Sequence, residues 1–277
     1  GNSFSVRLKG GRSIACDMAI LAIGVTPDTS LAKTAGIELG LKGSIAVNDR
    51  METSVPDIYA VGDAVQIKNF VTGKPALISL AGPANKEGRI AADNICGKES
   101  RYSGGQGSSV IKIFGMTAAC TGINERTAKE TGIDADKVIL SPMNHAGYYP
   151  GGKIMTMKVI FEKGTYRLLG AQIAGSDGVD KRIDVIAVAL RAGMKATELA
   201  ELDLAYAPPY SSAKDPVNMA GYIIENIRDG IVKQWYYEEE SVLPGDGSVT
   251  LLDTRTAAEY SGGHIEGFRN IPVDELR

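Results

Sequence analysis

Between Asp57 and Val65 the sequence reads DIYAVGDAV, an apolar run that stops on a glycine and a carboxylate, Gly62 and Asp63. Such a run suits a strand covered on both faces, the kind a parallel sheet holds between helix layers. At the carboxyl end of such a strand an open α/β sheet places its ligand crevice. A carboxylate there can accept hydrogen bonds from polyol hydroxyls, and the glycine lets a ligand approach the backbone. A plainer reading makes Asp63 the N-cap of the segment that follows.

The flanking sequence repeats the α/β theme. FSVRL, the nearly all-apolar MAILAIG (Met18 to Gly24) and SIAV are further strand candidates. From Ser79 a helix is expected, with Pro83 in its first turn, Gly97 as its stop, and Ala84, Gly88, Ala91 and Ile95 on one packed face. Tyr102 to Ser109, YSGGQGSS, reads as a flexible joint. Beyond it the order becomes α+β. VIKIF and KVILS are strands, Asn124 caps a short helix, and residues 153–175 form a hairpin turning at Lys163–Gly164. Helices follow over DKRIDVIAVALRAG and from an Asp215–Pro216 cap to Gly230, then a linker and a new start at VTLLD.

Charge and composition exclude several functions. The net charge is −3 and the pI about 5.6, so no basic field points to nucleic acid or an acidic membrane. No apolar run reaches the roughly 20 residues of a membrane span. Cys16, Cys96 and Cys120 are far apart, without a CxxC pair or a helix-start setting, so they read as non-catalytic thiols of a cytoplasmic protein. No metal site is expected. Both ends read as cut, FSVRLKGG opening on a strand already under way and NIPVDELR closing inside an ordered domain.

TSVPDIYAVGDAV followed by LAGPANKEGRIAADNI resembles the C-terminal part of the FAD domain of pyridine nucleotide-disulfide oxidoreductases. The resemblance implies that Asp63 binds the flavin ribityl chain, with Gly62 making room, and that Ala81 and Gly82 at the helix start lie against the flavin pyrimidine edge. A helix N-terminus carries about half a positive charge, which suits the anionic edge of reduced flavin. MAILAIGVTPDTSLAKTAGIEL resembles the exit from the NAD(P) domain of the same enzymes, and places Gly24 on the nicotinamide side.

NHAGYYPGG (144–152) and LAYAPPYSSAKDPVNMAGY (204–222) can be read simply as rigid loops packed by aromatic rings. The second resembles the C-terminal motif of the CoA-disulfide reductase and NADH oxidase branch, which implies that Tyr148 and Tyr206 serve a partner subunit's redox cysteine. It also makes Lys214, and less directly Lys86, partners for CoA phosphates, beside their plain reading as solvated lysines. His145, beside the tyrosine pair, has two readings, a residue near the active site or, more plainly, an exposed loop histidine. LLDTRTAAEYSGGHIEGFRNIPVDEL resembles the opening of a rhodanese domain without its cysteine loop, with His264 structural and Phe268–Arg269 departing from the pattern.

The resemblance covers essentially the whole chain. It implies a remainder of the NAD(P)/FAD-binding region (1–105), a dimerisation domain (106–237), a linker (238–248) and the first piece of an α/β rhodanese-like domain (249–277). The implied homodimer would use NAD(P)H and FAD to reduce CoA-disulfide, CoA-persulfide or polysulfide through a cysteine lying outside this sequence. An NADH oxidase with oxygen as acceptor shares every motif. A sulfurtransferase, or a dimerisation piece without turnover, are the other readings.

Overall fold

An apolar run becomes a strand only where a neighbour takes up its backbone hydrogen bonds. The structure, a computed structural model that describes residues 4–236, 244 and 246–276, separates the runs that find one from those that do not. Strands β1 (Phe4–Arg7) and β2 (Ser13–Cys16) pair as an antiparallel hairpin. The expected strand Met18–Gly24 is not one: it runs without a ladder partner among the described residues, and Ile20, Leu21 and Ile23 are 82–85% exposed.

The expected buried strand at Asp57–Val61 is also corrected. Asp57 and Gly62 both take positive φ, 63° and 94°, which breaks the extended backbone at each end. Between them only Tyr59 forms a bridge, to Glu52. The strand lies on the far side of Asp63 instead. There β4 (Val65–Lys68) pairs parallel with β3 (Ile45–Ala46) and antiparallel with β5 (Pro75–Ala76). Between β2 and β3 lie a short helix, α1 (Ser30–Thr34), and a 3₁₀ turn at Leu41–Gly43.

Helix α2 (Ala81–Ile95) covers this small sheet, but not with the expected face. Glu87, Ile90, Ala91 and Asn94 are buried, whereas Ile95 is exposed. Met51, Val65, Ile67, Ile90, Ala91 and Tyr102 make the core beneath it. Nor is 102–109 a free joint. Gly105 donates to Lys68 O at 3.0 Å and accepts from Phe70 N at 2.8 Å, and a Cβ on Gly104 would meet Lys68 O at 2.5 Å. Glycine is needed there for close backbone approach.

The α+β part follows the sequence closely. Five antiparallel strands, β6 (Ser109–Ile113), β7 (Met116–Gly122), β8 (Ala135–Leu140), β9 (Met155–Glu162) and β10 (Leu168–Gly175), stand in the order β6-β7-β10-β9-β8. Asn124 caps α3 (Glu125–Thr131) through its side chain, accepting from Thr127 N at 2.9 Å. Helix α4 (Val179–Arg191) lies across β7 and β10 with Ile183, Ile186 and Leu190 buried. The other face of the sheet is an open groove of about 380 Å³ lined by Ile111, Ala118, Cys120, Thr156, Gln172 and Ala174. Asp215 starts α5 (Pro216–Arg228), accepting from Val217 N at 3.0 Å.

Residues 226–277 make a second unit. In it β11 (Leu252–Asp253) and β12 (Arg269–Asn270) pair in parallel, joined through α6 (Ala257–Ser261) with a Thr256–Glu259 capping box. Most of the expected linker lies outside the described residues. No helix of the described residues is long and apolar enough to cross a membrane.

Candidate functional site

Most of the residues singled out from the sequence fall in two groups, one at the start of α2 and one on two loops beside the five-stranded sheet. At the first, Gly62 φ is 94°, and a Cβ there would meet nothing within 4 Å. The conformation demands glycine while the space in front of it stays open. Asp63 is exposed, and its carboxylate accepts no hydrogen bond among the described residues. Its carbonyl accepts from Ser79 Oγ at 3.0 Å. Ala81 and Gly82 are exposed at the first turn of α2, whose N-cap residue, Leu80, offers no side-chain cap. Unpaired N–H groups therefore stand at the positive end of the helix dipole.

The donor set suits half of a flavin: a free carboxylate for polyol hydroxyls, and helix N–H groups for an electron-rich carbonyl edge. Gly24, with φ 85°, lies in the unpaired run and is joined to none of these residues. Lys86 is exposed on α2, its Nζ donating to Gly82 O at 3.5 Å, and borders a cavity of about 320 Å³ with Pro83, Tyr102 and Arg191.

Glu87 escaped the sequence reading. It is 1% exposed and its Oε2 accepts from Gly62 N at 2.8 Å, so a buried carboxylate holds the backbone just before Asp63. Burial, with Asp63 nearby, pushes its pKa up, against the pull of the Gly62 N–H. The available signal was position: Glu87 falls three residues before Ile90 and four before Ala91, on the apolar face.

At the second group, the loops 144–152 and 204–215 bring two phenols together. Tyr148 Oη and Tyr206 Oη are 2.8 Å apart, and both rings are exposed. Since one hydroxyl donates to the other, the pair offers one outward O–H rather than two. The contact with Tyr148 raises the Tyr206 pKa, which keeps the phenol protonated. His145 is corrected from exposed to buried. Its ring meets Tyr149 edge-on at 5.5 Å, and Nδ1 lies 3.1 Å from Ala146 O. Lys214 is exposed at the rim of an apolar cavity of about 420 Å³ lined by Leu140, Pro142, Met219, Tyr222 and Ile223.

Arg182 and Asp215 are buried beneath these loops, 3.0 Å apart. Removing one partner of such a pair costs about 3–5 kcal/mol. Arg182 too was legible only by spacing, sharing a helix face with Val179, Ile186 and Ala189. In the second unit Arg255 pairs with Asp253, and His264 stacks on Tyr260 with ring centroids 3.8 Å apart while Nδ1 lies 3.0 Å from Tyr260 O. No cluster of three metal-ligating side chains occurs among the described residues.

Residues 1–88 match the pyridine nucleotide-disulphide oxidoreductase family, and residues 108–216 match the dimerisation domain of the same family. The chain belongs to that family. It is 36% identical over 222 residues to a coenzyme A disulfide reductase of Staphylococcus aureus, an alignment that takes in 80% of this chain and 50% of the relative. The structure of reduced CoADR-RHD of Bacillus anthracis superposes with a TM-score of 0.90 at 49% identity, covering 99% of this chain and 49% of that one. A NAD-dependent persulfide reductase from A. fulgidus gives a TM-score of 0.88 at 38% identity, over 98% of this chain and 49% of the other. The chain thus spans about half the length of the relatives it matches.

Proposed function

We propose that this chain is the flavin-edge and dimer-forming part of a cytoplasmic, FAD-dependent NAD(P)H oxidoreductase that reduces CoA-disulfide, CoA-persulfide or polysulfide. The observation that carries the reading is the Tyr148–Tyr206 pair, two exposed phenols 2.8 Å apart with an O–H to spare. FAD, when bound, supplies two-electron transfer between the nicotinamide and a sulfur. The chain's own residues hold and aim. Asp63 accepts from ribityl hydroxyls, Gly62 admits the ligand, and the Ala81–Gly82 N–H groups face the pyrimidine edge. Gly24 belongs on the nicotinamide side.

In this reading the tyrosine pair reaches a partner subunit in a homodimer and donates to the cysteine or CoA sulfur that gains charge as an S–S bond splits. A donor already in place at a developing anion acts on that step above all. Lys214, with Lys86 as a second candidate, meets CoA phosphates as a point charge. The four segments 1–105, 106–237, 238–248 and 249–277 are then the FAD/NAD(P) remainder, the dimerisation domain, a linker and the beginning of a rhodanese-like domain. The names of the S. aureus and A. fulgidus relatives favour a sulfur acceptor.

The test is Tyr206→Phe in the full-length enzyme, followed by anaerobic stopped-flow. Flavin reduction by NAD(P)H should stay nearly unchanged while sulfur reduction slows by roughly 10- to 1,000-fold. The double Tyr148→Phe/Tyr206→Phe variant should lose less than the product of the singles, because the two hydroxyls act as one unit. Slowing of the flavin half-reaction instead would make YAPPY a flavin-packing loop. Rapid reoxidation by oxygen in preference to every sulfur acceptor would assign the chain to an NADH oxidase.

A further inference from the structure

We infer that Arg182 is the positioning residue of the tyrosine pair: its guanidinium ties the Tyr148 loop and the Tyr206 loop to one point on α4, and so sets the approach of the two hydroxyls. This deepens the proposed role of those phenols and rests on it. Arg182 is 1% exposed. From the first turn of α4, the two N–H groups of its Nη2 are shared among acceptors on both loops, Asn144 O at 2.8 Å, Asp215 Oδ2 at 3.0 Å, Ser211 Oγ at 3.2 Å and Tyr210 O at 3.4 Å. Its Nη1 donates to Gly178 O at 3.1 Å. One side chain thus joins a residue four before Tyr148 and a residue four after Tyr206.

The surroundings fix the guanidinium in turn. Asp215 accepts from Ser211 Oγ at 2.6 Å, so the acceptor of the ion pair is itself oriented. Gly178 has φ 72°, and a Cβ there would lie 2.3 Å from Arg182 Nη1; the guanidinium occupies the space its missing side chain leaves. Asn144 Nδ2 donates to Asp177 Oδ2 at 2.6 Å, and Ala146 N donates to Ser211 O at 2.9 Å, a direct backbone bond between the two loops. Lys181, the preceding residue, donates to Ala205 O at 3.3 Å, next to Tyr206. A planar fork with five N–H donors can serve several acceptors around its edge at once. A lysine at position 182 would carry the same charge with three donors on one atom, and could not span both loops.

The inference is tested on the full-length enzyme, with 3-fluorotyrosine in place of tyrosine and pH titration by ¹⁹F NMR, the Tyr206 resonance being assigned with Tyr206→Phe. Tyr148→Phe defines the Tyr206 midpoint without its partner. Arg182→Lys keeps the charge and should lower the Tyr206 midpoint to that same value, because the hydrogen bond with Tyr148 is lost. Ile186→Val trims the core beneath the same helix and should leave the Tyr206 midpoint in place. If Arg182→Lys does not fold, Ser211→Ala, which removes one acceptor of the guanidinium, should give a smaller fall in the same direction. An unchanged midpoint in the folded Arg182 or Ser211 variant overturns the inference, and so does an equal fall in Ile186→Val. This readout needs no turnover, so it can fail while the sulfur-reduction reading stands, and the reverse.

Discussion

Glu87 is a carboxylate in a place where charge is costly. Its burial and the nearby Asp63 favour the protonated form, while the Gly62 N–H favours the ionised one, and the balance raises the pKa. The consequence for stability has a definite sign. Between the ordinary value of 4.5 and the raised folded value, the native chain binds more protons at this site than the unfolded chain. Stability from this group is therefore fully present below about 4.5 and is lost as pH rises through the folded pKa. Glu87→Gln retains an oxygen for the Gly62 N–H and removes the charge. Urea unfolding should show the variant more stable than the parent at pH 7.5, with that advantage shrinking as pH falls toward 4.5. A variant less stable at pH 7.5 would mean that the Gly62 N–H requires a full charge, and that the loop before Asp63 is held electrostatically.

At the scale of elements, two glycines on helices separate close packing from mere permissiveness. On α5, a Cβ at Gly221 would lie 2.2 Å from Ala200 N and 2.7 Å from its Cα, contacts with backbone that cannot rotate away. On α2, a Cβ at Gly88 would meet nothing within 4 Å. Gly221→Ala should therefore destabilise by about 1–3 kcal/mol through overpacking. Gly88→Ala should stabilise by about 0.5–1 kcal/mol through helix propensity alone. Denaturant midpoints for the two single variants should move in opposite directions, and a loss of stability for both would reject the distinction. The same contrast marks what a sequence can disclose. The β9–β10 hairpin, the Asn124 and Asp215 caps and helix α4 were legible because period, cap and turn residues lie within a few positions of one another. Met18–Gly24 and Asp57–Val61 were misread because an apolar run says how a strand would be covered, not whether a neighbour is there to pair with it. The α2 face failed for a related reason: its small residues suggested packing, yet the buried stripe includes Glu87 and Asn94, which are tolerated only because distant backbone groups satisfy them. The tyrosine pair was nameable from its motif, but the direct contact between the hydroxyls joins residues 58 positions apart.

Over the whole molecule, the groups suited to FAD cover one half of that ligand. In the proposed reading Asp63 and the start of α2 address a polyol and one ring edge, and Asp63, Ala81 and Gly82 are exposed. The 277 residues contain no GxGxxG turn, the feature whose glycines and following helix N-terminus hold a dinucleotide pyrophosphate. A ligand gripped by its uncharged half alone forgoes the contacts that neutralise its phosphates. Association is a different matter, since the dimerisation-domain match spans 108–216 and the five-stranded sheet presents its groove on the face away from α4. Apolar side chains such as Ile111 and Ala118 gain by leaving water there. The chain should therefore dimerise without retaining flavin. Size-exclusion chromatography with light scattering, after incubation with FAD, should give twice the 29.3 kDa chain mass with no flavin absorbance under the protein peak. A yellow peak would show that Asp63 and the α2 terminus suffice to hold the cofactor, and a monomer would remove the partner subunit that the Tyr148–Tyr206 proposal requires.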